Sequence, residues 1–167
     1  MKELGDLATS LLDRDGSCRD VSFEGGSWLG VDAVLRSLKE SFRNASATDQ
    51  EGDAILEPFP AALISVTQCG GHAHVILGEG SGLLRQLQIW VWCETDGSPF
   101  VEITFFPDDV RPGSNLKHEF LLWANDLQVR LGAQRYYVRY ENASWAFGNT
   151  QQGSGVFLVS DDLTTDA

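Results

Sequence analysis

Leu84-Arg-Gln-Leu-Gln-Ile-Trp90-Val-Trp-Cys-Glu94, then Thr95-Asp96-Gly97-Ser98-Pro99, then Phe100-Val-Glu-Ile-Thr-Phe-Phe106, is the stretch whose reading decides the fold. In its first part Leu87, Ile89, Val91 and Cys93 fall on one side, and Gln88, Trp90, Trp92 and Glu94 on the other. In its second part Val101, Ile103 and Phe105 oppose Glu102, Thr104 and Phe106. Side chains on a strand point alternately to the two faces of a sheet, so a period of two marks a strand at Leu84–Glu94 and another at Phe100–Phe106. Asp96-Gly97 supplies the turn between them. One face of this hairpin is aliphatic and suits packing under helices. The other mixes Trp and Phe with charged groups.

The same alternation extends outward. Tyr136, Val138 and Tyr140 oppose Tyr137, Arg139 and Glu141 in a strand predicted at Arg135–Glu141. Arg19–Glu24 alternates and ends at Gly25-Gly26, and Gly155–Ser160 reads as a last strand. Ala62–Thr67 and His72–Leu77, parted by Cys69-Gly70-Gly71, read as a further hairpin. Two long helices stand out. Ser27 caps one with the stripe Trp28, Val31, Leu35, Leu38 and Phe42, and Ser114 caps the other with Leu116, Phe120, Trp123, Leu127 and Leu131. Gly132 stops the second. Leu4, Leu7, Leu11 and Leu12 mark a short helix within residues 3–13. The order predicts an α+β domain: a mainly antiparallel sheet of six to seven strands with two long helices on one face. Residues 1–167 are expected to form a single domain, with 44–58 a flexible acidic loop and 161–167 an acidic tail.

Composition narrows the function. Twenty-four Asp and Glu against twelve Lys and Arg give a net charge of −12. This argues against a nucleic-acid surface, which needs clustered cations, and against docking to anionic lipid. Three cysteines without CxxC spacing argue against a disulfide framework. Met1-Lys2-Glu3-Leu4-Gly5-Asp6 lacks the basic-then-apolar layout of a secretory signal, and the expected compartment is the cytoplasm.

No motif completes a catalytic set. There is no nucleophile elbow, and Gly78-Glu-Gly-Ser-Gly82 lacks the lysine of a phosphate-binding loop. Cys69, His72 and His74 have metal-ligand chemistry, but no fourth ligand is evident nearby. The expectation is a binding protein, neither an enzyme nor the holder of a metal or cofactor. Carboxylates and aromatics interleaved on the second sheet face and its loops are the candidate contacts: Trp90, Trp92, Glu94, Glu102, Asp108, Asp109, Arg139, Glu141 and Trp145. Asp161 and Asp162 of the tail add to the same acidic surface.

The profile as a whole, and the segment Arg139-Tyr-Glu-Asn-Ala-Ser-Trp-Ala-Phe-Gly148 in particular, resembles small bacterial immunity proteins of polymorphic or contact-delivered toxin systems. The resemblance implies a cytoplasmic protein that binds one cognate protein toxin tightly and blocks its active site or substrate surface. It assigns no role to any residue. An acidic inhibitor would be steered to a basic toxin cleft. A secretion chaperone or adaptor for an effector is the alternative, and a small-molecule-binding or enzymatic α+β domain is a third class. The sequence sets no oligomeric state.

Overall fold

A computed structural model describes residues 7–56, 59–68, 70–146 and 149–160, with the backbone alone for residue 59 and for 142–146 and 149–154. In chain order the elements are α1 (Leu7–Leu12), β1 (Arg19–Glu24), α2 (Trp28–Ser41), β2 (Phe42–Thr48), α3 (Phe59–Gln68) and β3 (His72–Gly80). There follow β4 (Leu87–Cys93), β5 (Pro99–Phe105), a 3-10 turn at Pro107–Asp109, α4 (Leu116–Leu131), β6 (Arg135–Ala146) and β7 (Asn149–Val159). The strands make one seven-stranded sheet in the order β2-β3-β4-β5-β1-β6-β7, every pair antiparallel.

Alternation decides what each face buries. Ala73, Val75 and Leu77 of β3, Ile89 and Val91 of β4, Val101, Ile103 and Phe105 of β5, Val21 and Phe23 of β1 and Val138 of β6 are all fully or nearly fully buried. Val31, Val34, Leu35 and Leu38 of α2 meet them, with Phe120, Ala124, Leu127 and Leu131 of α4, Leu63 of α3, and Leu7 and Leu11 of α1. The helices thus share one face of the sheet, and one continuous core lies between the layers.

Two helix termini pin α2 to α4. The Ser27 hydroxyl accepts the Gly30 N–H at 3.0 Å, which caps α2, while the Ser27 N–H donates to the Leu131 carbonyl at 2.9 Å. Gly132 ends α4 in the left-handed conformation, at φ +66°. Gly30 is required by the approach of α4, because a Cβ there would stand 2.3 Å from the Leu131 carbonyl oxygen.

Arg19 organises the other end of the helical layer. Its fully buried guanidinium donates to the carbonyls of Ser10 at 2.7 Å, Ser17 at 2.9 Å and Asp13, pairs with Asp15 at 3.2 Å, and lies 4.2 Å from the Tyr140 ring centre. Carbonyls left unpaired at the end of the one-and-a-half-turn α1 are thereby satisfied.

Four sequence expectations are corrected. Three substantial helices, not two, cover the sheet. The third is α3, where Ala62–Thr67 reads as a strand because Ile64, Val66 and Thr67 are β-branched. Pro60 in the first turn and the burial of Pro60, Leu63 and Thr67 at helical spacing hold it as a helix, and the Thr67 hydroxyl donates back to the Leu63 carbonyl at 2.9 Å. Cys69-Gly70-Gly71 therefore joins a helix to a strand rather than two strands. Residues 44–56 of the predicted 44–58 loop are ordered structure, and 57–58 lie outside the described residues. The first part of the segment belongs to β2, and Asp49 then accepts the Glu51 and Asp53 N–H groups in a tight turn that returns Ile55 to bond Ala47. Finally, α4 starts one residue later than Ser114 suggests, with Asn115 at its cap position. Residues 3–6 of the first predicted helix and the 161–167 tail lie outside the described residues.

Gly30→Ala gains helix propensity worth about 1 kcal/mol but forces two backbones apart, and overpacking of that kind costs about 1–3 kcal/mol. Urea unfolding is expected to place the variant below the parent; equal or greater stability would contradict the close α2–α4 approach.

Candidate functional site

The sheet face turned away from the helices carries the other half of every alternating pattern. On β4, Trp90 stands between His74 of β3 and Glu102 of β5, and Trp92 stands between His72 and Phe100. The His74 ring stacks on Trp90 with centroids 3.9 Å apart and planes 9° apart. Trp90 and Trp92 are near parallel at 5.9 Å, and Trp92 tilts against Phe100 at 5.6 Å. The result is a half-buried aromatic strip across β3, β4 and β5, with His74 Nε2 held 2.8 Å from Gln88 Oε1. Neither α1 nor the 44–56 segment covers it. The first packs beside α4, and the second extends the sheet as β2.

Beside the strip lies an ionic cluster on the adjacent strands β5, β1 and β6. Arg139 of β6 reaches Asp20 of β1 at 3.2 Å and Glu102 of β5 at 3.1 Å. Glu102 also accepts the Ser22 hydroxyl at 2.8 Å, and Asp20 accepts the Thr104 hydroxyl at 2.8 Å. The side chains of Asp20, Glu102 and Arg139 are only 6 %, 14 % and 13 % exposed. Burial, and then the Glu102 charge, push the Asp20 carboxyl up to about 6, against the pull of Thr104 and Arg139. Further along the face Arg135 pairs with Glu24 at 2.6 Å. Burial and the Glu24 carboxylate raise the Tyr137 phenol above its ordinary value.

The sequence-predicted contacts divide into groups. Trp90, Trp92, Glu102 and Arg139 come together on this face. Exposed Glu141 continues it, with one carboxylate oxygen 3.5 Å from the Cys18 N–H. Glu94 sits just past β4, in the turn that Gly97 closes at φ +85°. Asp108 and Asp109 lie at the other end of β5, in the 3-10 turn, where exposed Asp108 pairs with Arg14 at 2.7 Å. Trp145 falls within β6, and its side chain is outside the described residues, as are Cys69, Asp161 and Asp162. His72 and His74 share a face as expected, but they serve as aromatic partners of the tryptophans. Cys93 belongs to the opposite face and Glu79 to the far end of β3, and no group of three His, Cys, Asp or Glu is gathered for a metal among the described residues. Sequence reading missed Asp20, Ser22 and Phe100 as members of the site. Their parity in β1 and β5 was the available signal, but nothing in the sequence places β1 between β5 and β6.

The fold is of the α+β class, an antiparallel sheet with helices on one side only, and the open side carries the aromatic and ionic groups. No protein-family model and no curated protein matches the sequence. Among solved structures the chain is similar to one from the 1.75 Å crystal structure of the toxic C-terminal tip of CdiA from Pseudomonas aeruginosa in complex with immune protein. The two are 16 % identical, with a TM-score of 0.59 over 86 % of this chain and 94 % of that one, a likeness of fold. Among the described residues no helix is long and apolar enough to cross a membrane.

A carboxyl whose pKa is higher in the fold than in the unfolded chain binds its proton more tightly when folded. Stability is then lost as pH rises from the ordinary value of 3.8 to about 6, and is level above that. Asp20→Asn keeps an acceptor for Thr104 and leaves Arg139 its Glu102. Between about pH 4 and pH 6.5 the parent is expected to lose on the order of 2–3 kcal/mol relative to this variant. Urea unfolding of both proteins across that range is the measurement, and a difference independent of pH would refute the assignment.

Proposed function

We propose that the chain is a cytoplasmic immunity protein that neutralises a cognate protein toxin by direct binding. The docking surface is the sheet face turned away from the helices, with Trp90 and Trp92 as anchors, Glu94 and Glu102 beside them and Glu141 further along the face. The observation that carries this reading is the combination of a shared fold with a chain of a toxin–immune protein complex and a half-buried aromatic strip on the sheet face away from the described helices. Aromatic side chains held rigid by stacking lose little entropy on binding, and such groups dominate protein interfaces. Arg139 already compensates part of the buried carboxylate charge, so Glu94 beside the strip and exposed Glu141 further along the face carry the attraction toward a basic partner. With −12 on the chain, that attraction also speeds encounter.

The reading is tested with the toxic domain encoded beside this chain. Co-expression is expected to protect cells from it, and the purified pair to bind with a Kd below about 1 μM. Affinity should fall as salt rises from about 0.05 to 0.5 M. Trp90→Ala is expected to weaken binding at least about tenfold while leaving the thermal midpoint within a few degrees, as for a half-buried anchor. Absence of both complex and protection would overturn the assignment, and a large loss of stability without a loss of affinity would remove Trp90 from the interface.

A further inference from the structure

Charge pairing in the rest of the molecule singles out a second site. Half of the twelve cations of this acidic chain are matched: Arg14, Arg19, Arg36, Arg130, Arg135 and Arg139 each pair with a carboxylate. Arg43, Arg85, Arg111 and Lys117 have no carboxylate within ion-pairing distance among the described residues, although carboxylates outnumber cations two to one. The three arginines of that set line one cleft of about 590 Å³.

The cleft is assembled from distant segments. Arg43 stands at the start of β2, Arg85 on the connection between β3 and β4, and Arg111 just after the 3-10 turn. Leu84 and Val110 form an isolated bridge, flanked by Arg85 N–H to Asp109 carbonyl at 2.8 Å and Arg111 N–H to Leu83 carbonyl at 2.9 Å. The Arg111 guanidinium is oriented by a 2.7 Å bond to the Gly80 carbonyl. Two carboxylates also border the cleft. Glu79 is occupied by the Asn44 side-chain amide at 2.8 Å, and Asp109 is half-buried, its pKa raised by that burial and tempered by the Arg85 charge. The three arginines line one cleft with no carboxylate in ion-pairing distance among the described residues, and an oxyanion bound there would supply the counter-charge. Their planar forks match the oxygen geometry of phosphate, a cleft of this size takes a small molecule, and no aromatic or aliphatic side chain lines it.

We propose that this cleft binds a phosphorylated small molecule, with Arg43, Arg85 and Arg111 each holding phosphoryl oxygens. The site stands apart from the partner face. Trp92 and His72 are paired at one end of β3–β4, and Glu79, Gly80 and Arg85 lie at the other, roughly 25 Å away at strand rise.

Pyrophosphate is the probe, titrated calorimetrically into the whole chain at constant ionic strength, with a glutamate oligopeptide in a parallel titration. Saturable binding of pyrophosphate is expected, weakened at least about tenfold in the double variant Arg43→Gln/Arg85→Gln, which leaves Arg111 on Gly80. Arg36→Gln, on the exposed side of α2, is expected to leave it unchanged. Circular dichroism and the thermal midpoint establish that each variant is folded, and Arg85→Lys replaces the double variant if it is not, with the same weakening expected. No saturable binding, equal weakening by Arg36→Gln, or tighter binding of the peptide than of pyrophosphate would each overturn the proposal. Toxin binding is not read in this experiment, so its outcome is separate from that of the immunity assignment.

Discussion

Arg139 holds two carboxylates on a sheet face that no helix covers, and this constraint sets what the rest of the face can be. A strand presents half of its residues to each side. All the helices among the described residues lie on one side, and the polar groups on the other side are satisfied by its own side chains. Asp20, Glu102 and Arg139 come from β1, β5 and β6, and the Arg139 distances of 3.2 Å to Asp20 and 3.1 Å to Glu102 tie together these three neighbouring strands. A slip of one residue in any of them would carry a charge into the aliphatic core and a valine or isoleucine into the ionic cluster. Such a cluster contributes to register more than to net stability, because removing two carboxylates and a guanidinium from water costs much of what their attraction returns. The elevated Asp20 pKa is the trace of that cost.

The sequence was readable where one physical effect dominated. In β4 and β5 the helix side is almost wholly apolar and the other side mixes polar and aromatic groups, so a period of two is visible without knowing the partners. In α2 and α4 the stripes at three and four residues are equally plain, and Ser27 and Gly132 act as the cap and stop they look like. The misreadings fall where tertiary context overrode local preference. β2, Phe-Arg-Asn-Ala-Ser-Ala-Thr, lacks large apolar residues because an edge strand has little to bury; Ala47 alone of its seven residues is fully buried. α3 carries β-branched residues suited to a strand, yet its burial at Leu63 and Thr67 follows a helix lying beside α2 and over β3 and β4.

The candidate site was legible in part for the same reason. Parity alone puts Trp90 and Trp92 on one face, and Glu102 with Arg139 on the corresponding face of their own strands. Strand order, which no local pattern encodes, decides that those faces are one surface, that Asp20 completes the Arg139 pair, and that His74 stacks on Trp90. Nearness in sequence also misled. Asp108 and Asp109 follow β5 directly, but they follow its far end, so the length of the strand separates them from Trp92 and Glu94.

Net charge alone would describe the molecule as uniformly negative, and its internal pairing says otherwise. The buried carboxylates at Asp20 and Glu102 are largely answered by Arg139, so their field outside the protein is weak. The Glu94 carboxylate stands just past β4 at the Trp92 end of the aromatic strip, where an approaching cation meets it beside an apolar surface. The unpaired arginines gather at the opposite end of the β3–β4 hairpin. Cations and carboxylates mix at that end, because Glu79 and Asp109 border the arginine cleft and Asp108 and Glu141 stand at about the same level of the sheet. Selection of a basic partner therefore rests on the local placement of Glu94 beside the tryptophans rather than on a charge separation along the strands.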